Sequence, residues 1–486
     1  MADRVETGVV VVGTGFSGLG MAIQLRRDGR EDFVVLEKAD DVGGTWRANT
    51  YPGCACDIQS HMYSFSFEQN PDWTRSYSSQ EEIWAYLRRV TDRYDLRRSI
   101  RFGTEVTGAR WDADEARWHV ATAAGTEYVA RFLVAGTGAL HIPNVPALAG
   151  LESFAGRVFH SAEWDHGFDL TGKRVAVIGT GASAIQFVPR IAGDVARLDL
   201  YQRTPPWIMP KPDHAIPPWT RRLFRSVPGA QRAYRTFLYW LLEARALGFN
   251  GHPALLRFAE RFARWNVERA ITDPELRAKL TPSYAMGCKR VLVANDFYPA
   301  LNRANVSLIT DGITEIRPGG VVAGGVEREV DAIIFGTGFH VTDAFDYLNI
   351  AGRDGRDLAK QWRTSGIQTH YGITVAGYPN LFFLLGPNTG LGHNSVVFMI
   401  ESQIRYVSEA IALAGAGTIE VRQEAQDRFQ ADIQSRLADG IWSTGGCDSW
   451  YLDSHGVNRT IWPGFTWRYW LRTRRADPAD FELAAG

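Results

Sequence analysis

Four short apolar runs along the chain each lead into the same Gly-Thr-Gly turn. The copies read VVVVGTG at 9–15, FLVAGTG at 132–138, VAVIGTG at 175–181 and AIIFGTG at 332–338. Each run is short and mostly aliphatic, which is typical of a strand buried on both faces of a parallel sheet. A glycine directly after such a strand lets the chain bend sharply or approach a ligand closely. The pattern therefore predicts an α/β fold with parallel sheets.

The first and third copies continue into sequence that we expect to be helical, at 16–25 and 182–188. They predict two strand–loop–helix units. The second and fourth copies lack the third glycine and run into Pro143 and Thr342, so we interpret them as strands that close a domain.

The first unit carries the dinucleotide fingerprint Gly13-x-Gly15-x-x-Gly18. In this fingerprint the first glycine makes the tight turn, the second lets the backbone approach a pyrophosphate, and the third allows close packing of helix on strand. A second apolar strand, at 33–36, ends in Glu37, an acidic residue suited to a ribose diol. This context predicts FAD or NAD in the first unit.

The second unit carries the variant Gly179-x-Gly181-x-x-Ala184. Arg203 follows Gly179 by 24 positions (203 − 179), the same offset that separates Glu37 from Gly13 (37 − 13). An arginine at this position suits a 2′-phosphate, which predicts NADPH. Two nicotinamides would be redundant, so we expect FAD in the first unit. Molecular oxygen is the expected electron acceptor, because the chain has no dithiol motif.

These observations predict two Rossmann-like dinucleotide-binding domains, with the NADPH domain inserted into the FAD domain. The expected boundaries are 1–145 for the first part of the FAD domain and 146–169 for a linker. The NADPH domain is expected at 170–340, with a helical insertion at about 215–280. The FAD domain and a C-terminal tail return at 341–486.

The segment 221–269 has ten arginines and three acidic residues, with apolar residues at helical spacing. A basic amphipathic helix can dock on an anionic membrane. We favour the alternative of a packed helical lid with solvated arginines, and leave membrane contact open.

Composition narrows the function further. The 486 residues are 45% hydrophobic and 22% charged, as in ordinary globular proteins of several domains. The net charge of −1 gives no reason to expect nucleic acid. The sequence has no apolar run of the length that a membrane span requires, so we expect no membrane span. The first residues lead directly into an apolar strand, so we expect no leader segment either. The four cysteines suggest neither a disulfide framework nor a metal site, which favours a reducing, cytoplasmic location.

Several motifs together resemble those of Baeyer–Villiger monooxygenases, which are FAD- and NADPH-dependent class B flavoproteins. The family fingerprint is matched by Phe154, Gly156, His160, Trp164 and Asp165. The segments 43–46, 51–53, 287–290 and 448–451, together with Asp57, are also similar to the family, so the resemblance covers nearly the whole chain.

The resemblance implies that NADPH reduces FAD, which reacts with oxygen to give a C4a-peroxyflavin. This species would insert one oxygen atom next to the carbonyl of a small apolar ketone, giving an ester or lactone. Arg290 would be the catalytic cation, because arginine stays protonated at working pH, and Asp57 would position it. Lys289, Arg203 and Thr204 would hold the 2′-phosphate. His160 would orient the linker.

The resemblance and the two fingerprints together predict the cofactor-binding residues. Those expected to bind FAD are Gly13, Gly15, Phe16, Ser17, Gly18, Glu37, Lys38, Gly44, Thr45, Trp46, Asp57, Ile58, Tyr63 and Val106. Those expected to bind NADPH are Gly179, Thr180, Gly181, Ala182, Ser183, Ala184, Arg203, Thr204, Lys289, Arg290 and Trp450.

Other functions stay open at this point. The same flavin could oxygenate sulfur or nitrogen, or could oxidise NADPH and release hydrogen peroxide. A non-enzymatic NADPH sensor is disfavoured, because it has no need of Arg290 and Asp57. The ketone and its stereochemistry are not predicted, and a monomer is favoured without a decisive feature.

Overall fold

The computed structural model of the chain describes residues 3–249, 253–342, 349–453 and 455–485. In chain order the strands are β1 Arg4–Val12, β2 Phe33–Leu36, β3 Ile100–Arg101, β4 Val106–Asp112, β5 Arg117–Thr122, β6 Glu127–Ala135, β7 Arg157–His160, β8 Arg174–Ile178, β9 Arg197–Tyr201, β10 Ile208–Met209, β11 Leu292–Val293, β12 Val306–Ile309, β13 Ile313–Arg317, β14 Gly320–Ala323, β15 Val326–Glu329, β16 Ala332–Phe335, β17 Ile350–Ala351, β18 Leu381–Phe383, β19 Thr418–Val421 and β20 Phe481–Ala484. Most of these strands belong to two sheets.

The first sheet has the order β17–β4–β5–β6–β1–β2–β3, and β18 also pairs with β6. β1 runs parallel to both of its neighbours, with Val12 opposite Leu36 on one side and Ala135 on the other. The apolar runs at 9–12 and 132–135 are therefore adjacent strands, and their glycine turns meet at one edge of the sheet. Because β17 and β18 come from late in the chain, segments on both sides of the second module in sequence complete this sheet.

The second sheet has the order β12–β9–β8–β16–β7, and all its pairings are parallel. Ile178 lies opposite Phe335, so the third and fourth glycine turns are also neighbours. The edge strand β7 comes from the segment that the sequence assigns to the linker. The α/β fold with two Rossmann-like modules is confirmed.

In chain order the helices are α1 Phe16–Arg27, α2 Thr45–Ala48, α3 Gln80–Arg93, α4 Ala184–Ile191, α5 Pro218–Ser226, α6 Ala230–Phe249, α7 Pro253–Ala270, α8 Pro274–Leu280, α9 Phe297–Leu301, α10 Leu358–Ser365, α11 Val396–Ala414, α12 Gln423–Ala438, α13 Ile441–Thr444 and α14 Thr466–Arg472. The run α5 to α8 forms the helical excursion. Among the described residues, no helix is both long and apolar enough to cross a bilayer.

The core forms where the apolar strands meet helices that follow the glycine turns. Leu19 and Ile23 of α1 are fully buried, in a cluster that also contains Val11 of β1 and Ile404 of α11. Burying one such aliphatic side chain contributes about 1.5–3 kcal/mol to folding. The start of α1 is therefore held firmly against the sheet, which positions the turn before it.

Two chain segments that join the sheets lie side by side. The Asn144 N–H donates to the Gly338 carbonyl at 2.9 Å, and the His340 N–H donates to the Ile142 carbonyl at 3.0 Å. Pro143 and Phe339 form an antiparallel bridge between these two bonds. The outward and return connections thus form one paired crossing between the two modules.

Candidate active site

The glycine turn between β1 and α1 leaves open space beside one of its glycines. Gly13 has φ +96°, and a Cβ on it would lie 2.8 Å from the Gly136 carbonyl oxygen. A Cβ on Gly18 would lie 1.8 Å from the Gly13 carbonyl oxygen. Gly15 has an ordinary extended backbone, and a Cβ there would meet only the Cα of Gly44, at 3.8 Å. Packing therefore explains Gly13 and Gly18, whereas a ligand against the backbone would explain Gly15.

The surroundings of this turn suit a dinucleotide. Gly15 caps α1 without any side-chain hydrogen bond, so the first N–H groups of the helix are left for an anion. Glu37 is 7% exposed. One of its carboxylate oxygens accepts hydrogen bonds from the Thr14 N–H at 2.9 Å and from the Thr14 hydroxyl at 2.6 Å. The other oxygen accepts a hydrogen bond from the Ala39 N–H at 2.9 Å. Three of the roughly four acceptor positions of this carboxylate are thus occupied, which leaves one for a ribose hydroxyl. Phe16 and Ser17 lie buried in the first turn of α1.

We expect Gly15→Val to lose flavin without unfolding. A Cβ here would meet only the Gly44 Cα, at 3.8 Å, and the valine side chain would occupy the space that a pyrophosphate needs. FAD affinity should fall about tenfold or more, because a clash of about 1.4 kcal/mol already gives that factor. The flavin-to-protein absorbance ratio measures this, alongside the thermal unfolding of the flavin-free forms.

Gly319→Val is the matched control for this substitution. Gly319 has no positive φ, a Cβ on it would meet no other atom within 4 Å, and it lies on a surface turn. This variant should keep its flavin. Full flavin content in Gly15→Val would refute the assignment of the turn.

A chain of aromatic contacts runs from α1 toward the second module. The Trp46 indole N–H donates to the Tyr63 hydroxyl at 3.2 Å, and the Tyr63 ring meets the Phe16 ring edge-on at 5.2 Å. Ile58 is partly buried against the same core. Val106, at the start of β4, instead packs on the other side of the first sheet, and Lys38 is exposed beyond Glu37. These contacts join Phe16, Trp46 and Tyr63 of the predicted FAD residues, whereas Val106 and Lys38 are not part of them.

Arg290 and Asp57 form an ion pair between segments that are far apart in sequence. The Arg290 Nε and Nη2 both donate to the Asp57 Oδ2, at 3.0 Å and 2.5 Å. The side chains are 40% and 23% exposed. The Asp57 charge raises the pKa of Arg290 above its ordinary value, and burial opposes that rise without cancelling it. Arg290 is thus permanently charged, and Asp57 holds its guanidinium in a fixed orientation.

The second glycine turn repeats the geometry of the first. Gly179 has φ +109°, and a Cβ on it would lie 2.5 Å from the Gly336 carbonyl oxygen. A Cβ on Gly181 would meet only that oxygen, at 3.7 Å. A Cβ on Gly336 would lie 3.1 Å from the Ala184 Cβ, so the alanine in third position packs against the fourth glycine turn. Open space beside Gly181 again suits a bound pyrophosphate.

Two cations stand close together beyond this turn. Burial lowers the pKa of Lys289, and the nearby charge of Arg203 lowers it further, while Asp448 opposes the shift. Within the described part of the chain, no hydrogen bond or salt bridge is found for the exposed Arg203 guanidinium. Two cations that repel each other provide a site for a doubly charged anion such as a phosphate.

A cavity of about 1630 Å³ connects the two predicted cofactor sites. Its lining includes Thr45, Trp46, Asp57, Ile58, Tyr63, Gly179, Thr180, Gly181, Ala182, Ser183, Arg203, Thr204, Lys289, Arg290 and Trp450. The remaining predicted cofactor residues lie outside the lining: Gly13, Gly15, Phe16, Ser17, Gly18, Glu37, Lys38, Gly44, Val106 and Ala184. A cavity of this volume exceeds the usual 300–1,000 Å³ of a single small-ligand pocket, so it has room for a cofactor and a second ligand.

Cys288 and Cys447 form a disulfide, although the four cysteines of the sequence suggest no disulfide framework. Their Cα atoms are 6.2 Å apart, although 159 positions separate them in sequence. The bond joins the residue before Lys289 to the residue before Asp448, at two borders of the cavity. Disulfides in cytosolic proteins are uncommon and usually redox-sensing, so the cysteines no longer support a reducing compartment.

We expect Cys447→Ser to lower the free energy of unfolding by about 2–4 kcal/mol, because the cross-link closes a long loop in the unfolded chain. Thermal unfolding without reductant measures the difference. A dithiol reductant should bring the wild type down to the midpoint of the variant. Equal midpoints under oxidising conditions would contradict this expectation.

Comparison with known proteins decides the family. The family model described as "Pyridine nucleotide-disulphide oxidoreductase" matches residues 10–235. A Baeyer–Villiger monooxygenase of Pseudomonas aeruginosa is 53% identical over 98% of this chain and 91% of its own length. The chain belongs to the Baeyer–Villiger monooxygenase family. A second such monooxygenase, of Streptomyces coelicolor, is 48% identical over 98% of this chain and 92% of its own length.

Solved structures of a steroid monooxygenase and a cyclohexanone monooxygenase share the whole architecture. A steroid monooxygenase bound to NADP superposes with a TM-score of 0.87 at 33% identity, over 99% of this chain and 100% of its own. A cyclohexanone monooxygenase from Rhodococcus bound to NADP⁺ superposes with a TM-score of 0.88 at 29% identity, with full coverage of both chains. The chain is thus a flavin-dependent monooxygenase with both nucleotide-binding modules.

The Baeyer–Villiger fingerprint lies outside the cavity lining. His160 ends β7, is 2% exposed, and packs edge-on against the Phe339 ring at 5.7 Å. Burial lowers the pKa of His160 to about 4, so the ring is neutral near pH 7. A Cβ on Gly156 would lie 2.6 Å from the Phe154 ring, which makes this glycine a packing requirement.

The end of the fingerprint binds the second module. The Trp164 ring packs against Phe159 of β7 at 5.3 Å and Phe187 of α4 at 5.2 Å. The Asp165 Oδ2 accepts from the Arg157 Nε at 2.5 Å. The fingerprint therefore connects the paired crossing to the helix that follows the NADPH turn.

Sequence reasoning missed a buried polar cluster beside the cavity. Glu243 of α6 accepts from the Asn394 amide at 2.7 Å and from the Thr466 N–H and hydroxyl at 3.0 Å and 2.7 Å. Burial alone would raise the pKa of Glu243, but hydrogen bonds from His393, Asn394 and Thr466 lower it below its ordinary value. The cluster ties α6 to the tail. In the sequence, this cluster is indicated only by one acidic residue, Glu243, within an apolar helical stretch.

Proposed function

We propose that the chain uses NADPH and molecular oxygen to insert one oxygen atom next to a ketone carbonyl, giving an ester or lactone. The observation that carries this proposal is the Arg290–Asp57 pair facing a cavity bordered by both cofactor sites. Relatives support it: one solved neighbour is a complex with FAD and NADP, and another is a cyclohexanone monooxygenase bound to ε-caprolactone.

FAD bound along the first sheet edge would accept a hydride from NADPH and deliver an oxygen atom from O₂. The residues from Gly13 to Glu37 would hold its pyrophosphate and ribose. The wall formed by Trp46 and Tyr63 would bring its reacting end to the cavity. Arg203, Thr204 and Lys289 would hold the 2′-phosphate of NADPH, and Trp450 would lie near that cofactor.

Arg290 would stabilise negative charge on the attacking oxygen and on the carbonyl oxygen that it attacks. Its Nε and Nη2 donate to one Asp57 oxygen, so the donors on Nη1 stay available for the reacting atoms. Arginine cannot lose its proton at working pH, so this stabilisation does not depend on a proton transfer. Asp57 would position the guanidinium plane. Tyr451, buried beside the pair, would exclude water.

His160 would act on conformation and not on protons. It is neutral and buried against the crossing between the modules, where a change in its packing would move the second module relative to the first. The division at about 145, 170 and 340 stays a prediction, supported by the two sheets. A monomer and a cytoplasmic location also stay predictions.

The test is NADPH consumption with a panel of cyclic, aryl and linear ketones together with sulfides, with products identified by mass. Esters with oxygen beside the former carbonyl carbon are expected. Sulfoxides without esters would favour heteroatom oxygenation, and hydrogen peroxide alone would favour an NADPH oxidase. A purified protein that cannot be loaded with FAD would refute every flavin function.

A further inference from the structure

Two helices of the excursion carry an apolar stripe that faces solvent. On α6 the exposed residues Phe237, Trp240, Leu241 and Leu247 follow helical spacing, and Phe237 is 61% exposed. On α7 the exposed residues Leu255, Phe258, Phe262 and Trp265 do the same, and Phe258 is 74% exposed. We call these two stripes, together with Trp219 and Leu223 of α5, the outer face.

The outer face is not needed to hold the helices in place. Leu238, Leu242 and Ala246 form a second, buried stripe on the opposite side of α6. Ala263 and Val267 do the same for α7. Each helix therefore already buries one apolar side, although within the outer face the Phe262 ring stacks on the Trp265 ring at 5.4 Å.

Exposed aromatic residues are concentrated on this face. Among the described residues, the exposed Trp and Phe side chains are Trp219, Phe237, Trp240, Phe258, Phe262, Trp265 and Trp450. Six of the seven lie between 219 and 265, about a tenth of the chain. Single exposed apolar residues are normal on any surface, but a concentration of them on helices that contact each other marks an interaction site.

The exposed charge around the outer face is almost entirely positive. Over 218–249 and 254–270, the exposed charged residues comprise eight arginines and one acid: Arg222, Arg225, Arg232, Arg245, Arg257, Arg261, Arg264, Arg269 and Glu268. The whole chain has a net charge of −1, so this basic surface is a local feature. The partner of the outer face must therefore be both apolar and anionic.

We propose that the outer face docks on a bilayer containing anionic phospholipids. Tryptophan and phenylalanine side chains insert at the boundary of headgroups and acyl chains, and flanking arginines bind the phosphates. Such a bilayer is both apolar and anionic, which are the two properties that the outer face requires of its partner. The helices lie on the surface of the bilayer and do not cross it.

Docking would place the cavity beside the lipid. Leu241 and Leu255 belong to the outer face and also line the cavity, as does the exposed Arg245. An apolar ketone dissolved in the bilayer would then reach the cavity along α6 and α7. This consequence rests on the proposed function, whereas the docking itself does not.

Flotation of the FAD-loaded protein with vesicles tests the docking. Vesicles of phosphatidylcholine with phosphatidylglycerol are expected to bind the protein, and vesicles of phosphatidylcholine alone are expected to bind it far less. The combined substitution Arg222→Gln, Arg232→Gln and Arg257→Gln should weaken binding about 100-fold, since each arginine near an anionic surface contributes roughly a factor of five.

A second variant removes the apolar stripe while leaving the cavity lining intact. It combines Phe237→Ser, Trp240→Ser, Phe258→Ser and Phe262→Ser, and it should abolish flotation while keeping its flavin and its turnover of a water-soluble ketone. The matched control, Val326→Ser with Leu471→Ser and Leu483→Ser, removes exposed apolar residues elsewhere and should bind normally.

Three outcomes would overturn the docking proposal. They are no flotation with anionic vesicles, equal flotation of the serine variant, and a dimer in sedimentation that the serine variant disperses. The last would identify the face as a contact between copies of the chain. Because flotation needs no turnover, failure of the proposed oxygenation would leave this result unaffected.

Discussion

Replacing Arg290 with alanine is expected to lower the rate of ester formation by about 100- to 1,000-fold, the usual effect of removing one stabiliser of a reacting oxygen. NADPH oxidation should continue, with hydrogen peroxide as the product. The reason is the position of the guanidinium: it lines the cavity, and the Asp57 carboxylate holds it in one orientation.

Arg290→Lys is the matched control, because it keeps the charge but loses the planar fork that binds Asp57. We expect this variant to make more ester than the alanine variant and less than the wild type. Flavin content should be unchanged in both. An unchanged ester rate in Arg290→Ala would refute the catalytic assignment, and a loss of flavin would point to a packing role.

Replacing Arg203 with alanine is expected to raise the KM for NADPH about 10- to 100-fold and to leave the KM for NADH unchanged. A hydrogen bond to a charged group contributes about 1.5–3 kcal/mol, which corresponds to this range. The 2′-phosphate is the only group that distinguishes the two cofactors. Binding of that phosphate should relieve the mutual repulsion of Arg203 and Lys289.

Arg222→Ala is the control for the Arg203 prediction, because this exposed arginine lies on the excursion and away from the cavity lining. It should change neither KM. Equal losses for NADPH and NADH in Arg203→Ala would indicate a general effect on the second module. Unchanged KM values for both cofactors would show that a residue other than Arg203 binds the 2′-phosphate.

The parallel sheets could be predicted because their central buried strands have a local signal in the sequence, a short apolar run followed by a glycine turn. The apolar runs before Gly13 and Gly179 mark the two nucleotide strands directly. The structure adds why the motif occurs four times: Gly136 and Gly336 lie where a side chain on Gly13 or Gly179 would clash. The repeat therefore reflects pairs of adjacent strands whose turns must pack closely.

Features formed by distant segments could not be predicted from spacing. Arg290 and Asp57 lie 233 positions apart, so their pairing was suggested only by the family resemblance. Cys288 and Cys447 have no local signal, and their disulfide appears only when the tail packs on the second module. Periodicity predicted amphipathic helices at 221–269, but it could not tell which side of each helix would be covered.

The most direct test of the proposed oxygenation is wild-type turnover of one ketone from the panel under isotopically labelled oxygen gas. We predict one labelled oxygen atom in each ester molecule, and one ester formed for each NADPH consumed. Label found only in hydrogen peroxide and water, with the ketone recovered unchanged, would contradict the proposal.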